Sequence, residues 1–226
     1  MKVLTLNTWL IPWAKDYRER RNNLVMFLKK EKFDVINLQE VWFNRDVRFI
    51  VKSLEKYGYT CSHTLIFNRT GLLTLYKGKK VREGVGYFSK IKKYTWKEKI
   101  IKRGFLHAKV KFKEGDLEIV NTHLINYELP WAKEENQRLF RKLQDYISSM
   151  SRVVMTGDFN LEIKDRDKVK KLNYIKTKVT WEKKNPYTNL KKDMKLDYIF
   201  YNELIPKSNK LVKELSDHNG ISVTFR

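Results

Sequence analysis

Two carboxylate-bearing segments look like parts of one site: Gly157-Asp158-Phe159-Asn160 and Ser216-Asp217-His218-Asn219-Gly220. Three further polar groups lie upstream: Asn7, Glu40, and His123 in Asn121-Thr122-His123. Each follows an apolar run of β character, the place where a sheet brings distant side chains together. Carboxylate and amide oxygens with two histidines suit a hard divalent cation plus acid–base chemistry on a phosphate ester. Taken singly the residues mean less. Asn7 is a common turn type, Glu40 could be a solvated strand end, and His123 alone reads as a satisfied structural histidine.

Spacing sharpens two of these segments. Gly157 lets the chain turn sharply after its strand, so that Asp158 and Asn160, two apart, point the same way. Asp217 and His218 are adjacent, and neighbours on an extended segment face opposite ways. Asp217 is then not the acid that orients His218. Asp197, at the start of Leu-Asp-Tyr-Ile-Phe, is the best candidate, and Asp217 is free to face a metal.

The elements that must position these groups follow from periodicity. Alternation over Lys2–Thr8 and an apolar run over Asp34–Gln39 predict strands, and helical spacing predicts helices over 16–31 and around 47–54. Strands are predicted at 61–67, 71–76, 84–93, 104–112 and 117–122, with Gly115-Asp116 as a hairpin loop. A helix over 134–148 precedes strands at Arg152–Thr156, Leu196–Tyr201 and Gly220–Phe225. This order is mixed α/β, and a pair of packed sheets with helices outside would bury every element. The site residues run from Asn7 to His218, so the 226 residues are read as a single domain, 1–226.

Apolar content of 42% with 12 Tyr, 12 Phe and 6 Trp is ample for a core. The net charge of +22 points to a polyanionic partner, yet 35 Lys against 13 Arg also fits the residue usage of an AT-rich genome. Residues 77–113 carry 14 Lys/Arg and two acids, suggesting a basic region with a loop around 90–103 that meets a membrane or nucleic acid. Lysines on edge strands also discourage aggregation. One cysteine, Cys61, excludes an intrachain disulfide. No signal peptide, membrane-spanning stretch or lipidation motif is read, so a cytoplasmic location is expected.

Taken in order, Leu-Asn-Thr-Trp, Leu-Gln-Glu-Val, Asn-Thr-His, Gly-Asp-Phe-Asn, Leu-Asp-Tyr-Ile and Ser-Asp-His resemble the endonuclease/exonuclease/phosphatase superfamily across essentially the whole chain. Within it the chain looks most like the neutral sphingomyelinase branch, through residues 6–13, 33–42, 71–75 and 102–105. The resemblance implies a four-layer α/β/β/α sandwich of two mixed, mainly antiparallel sheets, and a Mg²⁺-dependent phosphodiesterase, with Mn²⁺ as a substitute. It implies Glu40 as principal metal ligand with Asn7 and Asp217 close by, and His218 as general base oriented by Asp197. Asp158 and Asn160 would position nucleophile and phosphate, and His123 would stabilise the transition state. Whether Asp158 or His218 is the base stays open. Tyr76 stands where the branch often has Ser before Lys. The leading substrates are sphingomyelin-like or lysophospholipid headgroups, with Trp9, Trp13, Trp42 and Trp131 near the site loops. DNA or RNA cleavage is the alternative. A non-catalytic adaptor is the third reading, and the complete site argues against it.

Overall fold

The computed structural model describes residues 1–63, 69–88, 91, 101–163, 172–187 and 192–226. Two six-stranded sheets face each other. The first combines β1 (Lys2–Leu10), β2 (Val35–Val41), β3 (Thr60–His63), β4 (Leu73–Tyr76), β11 (Pro206–Val212) and β12 (Gly220–Phe225), in the order β11-β12-β1-β2-β4-β3. The second combines β5 (Lys79–Tyr87), β6 (Gly104–Phe112), β7 (Gly115–His123), β8 (Val153–Asp158), β9 (Asn173–Tyr174) and β10 (Asp197–Asn202), in the order β5-β6-β7-β8-β10-β9. Within these sheets β1/β2 and β7/β8 pair in parallel and the other pairs run antiparallel.

A parallel pair needs a crossover, and a helix supplies it in both sheets. α1 (Tyr17–Glu31) joins β1 to β2, and α3 (Ala132–Ile147) joins β7 to β8. α2 (Asn44–Glu55) follows β2. Three buried clusters define the layers. Leu24, Leu28, Ile50 and Leu54 of the helices pack with Leu4, Leu6, Ile36 and Leu38 on the outer face of the first sheet. Val3, Val35, Val223, Val110, Ile119 and Ile199 meet between the sheets. Leu139, Phe140 and Leu143 of α3 cover Val120, Met155 and Phe200 of the second sheet. This is the four-layer α/β/β/α arrangement. Each fully buried aliphatic or Phe side chain contributes about 1.5–3 kcal/mol.

A buried polar seam registers the two sheets beneath the site. Gln39 Nε2 donates to Asn121 Oδ1 at 2.8 Å, and Asn121 Nδ2 donates to the Leu38 carbonyl at 3.1 Å. Unpaired, these amides would cost the sandwich; paired, they allow one stacking of the sheets.

Several expectations shift. The hairpin turn is at Lys113 and Glu114, because Phe112 pairs with Gly115; Gly115 takes φ +112° as the strand begins. β5 starts at Lys79 rather than 84. Among the described residues it is an exposed edge strand, paired only to β6, so no burial pattern marks it. β9 and β11 were not expected, and β11 reads Pro-Lys-Ser-Asn-Lys-Leu-Val without alternation. The strand expected at 61–67 spans 60–63, and 64–68 lie outside the described residues. So does most of the basic 90–103 loop. In the described part of the 77–113 region, Lys80 pairs with Glu83 at 2.8 Å and Lys109 with Asp116 at 3.3 Å. Among the described residues, no helix is long and apolar enough to cross a membrane.

Candidate active site

The C-terminal ends of both parallel pairs deliver the site. In the second sheet the register aligns His123 with Asp158, and Asp158 with Asp197, in one row across three neighbouring strands. Adjacent strands bring such a row within reach of one group of substrate atoms. In the first sheet Asn7 pairs with Gln39, and then the ladder slips before Leu10 meets Val41. Trp9 (φ 46°) and Glu40 (φ 59°) take left-handed conformations at this slip, as does Asn160 (φ 47°) beyond β8. Each costs about 1–3 kcal/mol, a cost that clusters where side chains must be re-aimed. Gly157 is fixed by close approach: a Cβ there would collide with the Thr122 carbonyl oxygen of the neighbouring strand.

The result is one buried polar centre. Asn7 Nδ2 donates to Glu40 Oε1 at 3.1 Å and to Asp158 Oδ2 at 2.9 Å, and Asn7 Oδ1 accepts the Trp9 N–H at 3.1 Å. Asp158 Oδ1 accepts the Asn160 N–H at 2.9 Å. His218 Nδ1 donates to Asp197 Oδ2 at 2.8 Å, and its Nε2 lies 3.8 Å from Asp158 Oδ2. His123 Nε2 stands 3.5 Å from Asp158 Oδ2 and 3.8 Å from Glu40 Oε1. Ser216 Oγ donates to Asp217 Oδ1 at 2.9 Å. These contacts join six of the eight expected residues, Asn7, Glu40, His123, Asp158, Asp197 and His218; Asn160 reaches the centre through its backbone N–H, with Oδ1 turned to the Tyr127 N–H at 3.3 Å, and Asp217 is close enough for its charge to act on Glu40 and His218.

Burial and crowding set the charges. Burial raises the Glu40 pKa, and the Asp217 charge raises it further. Burial also raises Asp217, and pushes Asp158 up to about 7 with Asp197 adding to the rise. Burial alone would lower His218, but Asp197, Asp158 and Asp217 outweigh it and raise it well above the usual value. His123 goes the opposite way, lowered by burial and by the charges of Arg103 and His218. An oxygen-rich pocket whose acids resist ionisation is short of positive charge, and a hard divalent cation is what fits it. Among the described residues, Asp158, Asp197 and His218 also offer ligand atoms within 4.8 Å of one another. In that trio His218 Nδ1 and Asp197 Oδ2 are already bonded to each other.

Four supporting residues escaped the sequence reading. Arg20, buried, donates to the carbonyls of Thr8 at 2.9 Å and Trp9 at 3.0 Å, and so holds the turn after Asn7. Thr180 Oγ1 accepts the Asp197 N–H at 3.1 Å, and the Trp181 ring stacks on His218 with centroids 5.1 Å apart. Asn185 Nδ2 donates to the carbonyls of Ser216 at 2.9 Å and Asp217 at 3.1 Å. Arg103 was noted only inside a motif, yet it is buried and its charge reaches both His123 and Glu40.

With this geometry, a family model settles the class: the chain belongs to the Endonuclease/Exonuclease/phosphatase family, matched over residues 4–218. A putative neutral sphingomyelinase of Drosophila melanogaster is 30% identical over 107 residues, 42% of this chain and 24% of that protein. The match thus spans about a quarter of that relative's length. Among solved structures, D. rerio TDP2 complexed with single strand DNA product superposes with a TM-score of 0.82 at 18% identity, covering 100% of this chain and 98% of that one. Sphingomyelinase C from Streptomyces griseocarneus gives 0.78 at 16% identity, covering 99% and 98%. A family protein from Leptotrichia buccalis C-1013-b gives 0.75 at 21%, covering 100% and 99%. At these identities the structural likeness establishes the fold.

Proposed function

We propose that the protein hydrolyses the phosphodiester of a choline-type lipid headgroup, sphingomyelin-like or lysophospholipid, with Mg²⁺ as cofactor and Mn²⁺ as a substitute. What carries lipid over nucleic acid is the 30% identity to the putative neutral sphingomyelinase. Glu40, Asn7 and Asp217 would hold the cation, since Asp197 and His218 are engaged with each other. A cation held there would supply positive charge against the charge developing on the phosphate and against the surrounding carboxylates.

The chain's own residues supply the rest. Asp197 fixes the His218 tautomer by accepting its Nδ1–H, which leaves Nε2 facing the centre. Either His218 Nε2 or the Asp158 carboxylate takes the proton of the attacking water, whose oxygen bonds to phosphorus as the bond to the leaving oxygen breaks on the opposite side, and the departing oxygen takes up a proton from solvent. Asp158 and Asn160 orient the water and the phosphate. His123, neutral because its pKa is lowered, donates an N–H to a non-bridging oxygen. Arg103 adds fixed positive charge beside it.

A nuclease is the second reading, favoured by the +22 net charge. One side-by-side assay in Mg²⁺ decides: sphingomyelin micelles, lysophosphatidylcholine and supercoiled plasmid. Phosphocholine release is expected from the lipids. Efficient plasmid nicking with both lipids left intact would hand the reading to the nuclease. Full activity on every substrate after EDTA would remove the metal.

A further inference from the structure

At the first turns of α1 and α2 lies an open cleft of about 420 Å³ lined by Pro12, Tyr17, Arg18, Arg21 and Arg45. It sits on the two segments that leave the site. One carries the chain from Asn7 through Pro12 to α1, the other from Glu40 through Phe43 to α2.

The cleft is built rather than incidental. Asp46 is fully buried beneath it and accepts the Tyr17 hydroxyl at 2.5 Å and Arg21 Nη1 at 3.1 Å, with Arg45 Nε at 3.9 Å from its other oxygen. The guanidinium of Arg21 lies over Phe49 at 4.2 Å, and that of Arg45 over Tyr17 at 5.4 Å. Two of the three cations are thus held in place before any ligand arrives, which lowers the ordering cost of binding. Arg21 Nε is buried without a hydrogen-bond partner, and the Arg18 side chain makes no ion pair or hydrogen bond among the described residues. Three guanidinium groups against the one Asp46 carboxylate leave the lining with surplus positive charge. The first turns of α1 and α2 open here, and neither helix has a side-chain cap.

The rim carries the second half of the argument. Trp13 is 81% exposed and Phe43 38% exposed, on the same two segments. An exposed Trp beside arginines is the composition of a surface that enters the headgroup layer of a bilayer. A long stacking groove for a single strand would need several such rings in a row.

We propose that this cleft is an anion site that takes the phosphate of an anionic phospholipid, docking the protein on a membrane with Trp13 and Phe43 in the interface. The site is separate from the catalytic centre and sits on the same side of the molecule, so the docked enzyme presents Asn7 and Glu40 to the lipid layer. Only that last consequence rests on the lipid-substrate reading.

Cosedimentation in EDTA tests docking without turnover. The whole protein is expected to bind phosphatidylcholine vesicles containing phosphatidate, and to bind pure phosphatidylcholine vesicles far more weakly. Arg18→Gln/Arg45→Gln is expected to lose about tenfold or more in affinity for the anionic vesicles, and Trp13→Ser a smaller factor. Arg18→Gln alone, at an exposed position, serves if the double variant does not fold. Mg²⁺-dependent hydrolysis of bis(p-nitrophenyl) phosphate should match wild type in all three. Undiminished vesicle binding by folded Arg18→Gln/Arg45→Gln protein overturns the proposal. So does a wild type that ignores the vesicles while these arginines govern binding of a single-stranded oligonucleotide. Failure of lipid hydrolysis with docking intact would strike the proposed substrate and leave the cleft standing.

Discussion

Two hydrogen-bonded histidine–carboxylate pairs lie buried among the described residues, and their chemistry is nearly the same. His218 donates to Asp197 at 2.8 Å, and His107 on β6 donates through Nε2 to Glu118 on β7 at 2.6 Å. What separates them is the other ring nitrogen. For His107 it meets the Tyr146 hydroxyl at 2.8 Å, and Glu118 is also held by Arg82 at 3.2 Å. Every strong group there is spent on its neighbours. For His218 the second nitrogen faces Asp158 at 3.8 Å, too far for a hydrogen bond and close enough for one oxygen atom to share. A buried His–acid pair is thus not a site by itself. It becomes one when a nitrogen is left over and acids crowd around it.

Kinetics give the widest separation between the pairs. His218→Ala, and Asp197→Asn to a lesser degree, are expected to lower kcat by ~100-fold or more, the usual scale for a positioned acid–base group. The same changes at the other pair, His107→Ala and Glu118→Gln, should leave kcat within about twofold. The check is kcat on the preferred substrate for all four variants, with near-UV circular dichroism to show folded protein. Wild-type turnover by His218→Ala would remove it from the mechanism. A large loss at His107 would mean that the outer pair communicates with the centre.

The same contrast explains what was legible in the sequence. Asn7, His123, Asp158 and Asp197 were readable because each abruptly ends or begins an apolar β run, and strand ends are where a sheet offers side chains to a ligand. Alternation of extended chain ruled out Asp217 as the acid that orients His218, and Asp197, the candidate then chosen, accepts the His218 Nδ1–H in the structure. Arg20, Thr180 and Asn185 were not readable, because they act through hydrogen bonds to backbone far away in sequence, as Asn185 does on Ser216. No residue type marks a distant carbonyl. β11 was invisible for another reason: an exposed edge strand has no buried face to impose alternation.

Stability is expected to invert the kinetic order. His107→Ala strips Glu118 of its ring partner in a buried position, which costs about 1–3 kcal/mol. For a chain of this size that corresponds to a fall in Tm of roughly 2–4 °C per kcal/mol. Thermal unfolding of His107→Ala and His107→Ala/Glu118→Gln reads it. The double variant should recover part of the loss, because the acid left without its histidine is then gone too. A single variant as stable as wild type would show that Arg82 and Lys109 satisfy Glu118 on their own.

The smallest effect calibrates what an acid–cation contact contributes when water reaches it. Glu31, at the end of α1, accepts from Lys2 Nζ at 2.6 Å and Lys210 Nζ at 3.1 Å, tying the helix to β1 and β11. The hydrogen bond from Lys2 holds its pKa below the usual carboxylate value, against a smaller opposing effect of burial. A pKa depressed in the folded state means that the unfolded chain binds the proton more readily. The contact therefore contributes in full above the unfolded pKa and is lost as pH falls through the folded one. Glu31 is partly solvated, so the contribution is about 0.2–1 kcal/mol and weakens with salt. Urea denaturation of wild type and Glu31→Gln should differ by that amount at neutral pH and converge in acid. A difference that persists below the pKa of both states would mean that Glu31 acts through packing, like the buried pairs, and not through its charge.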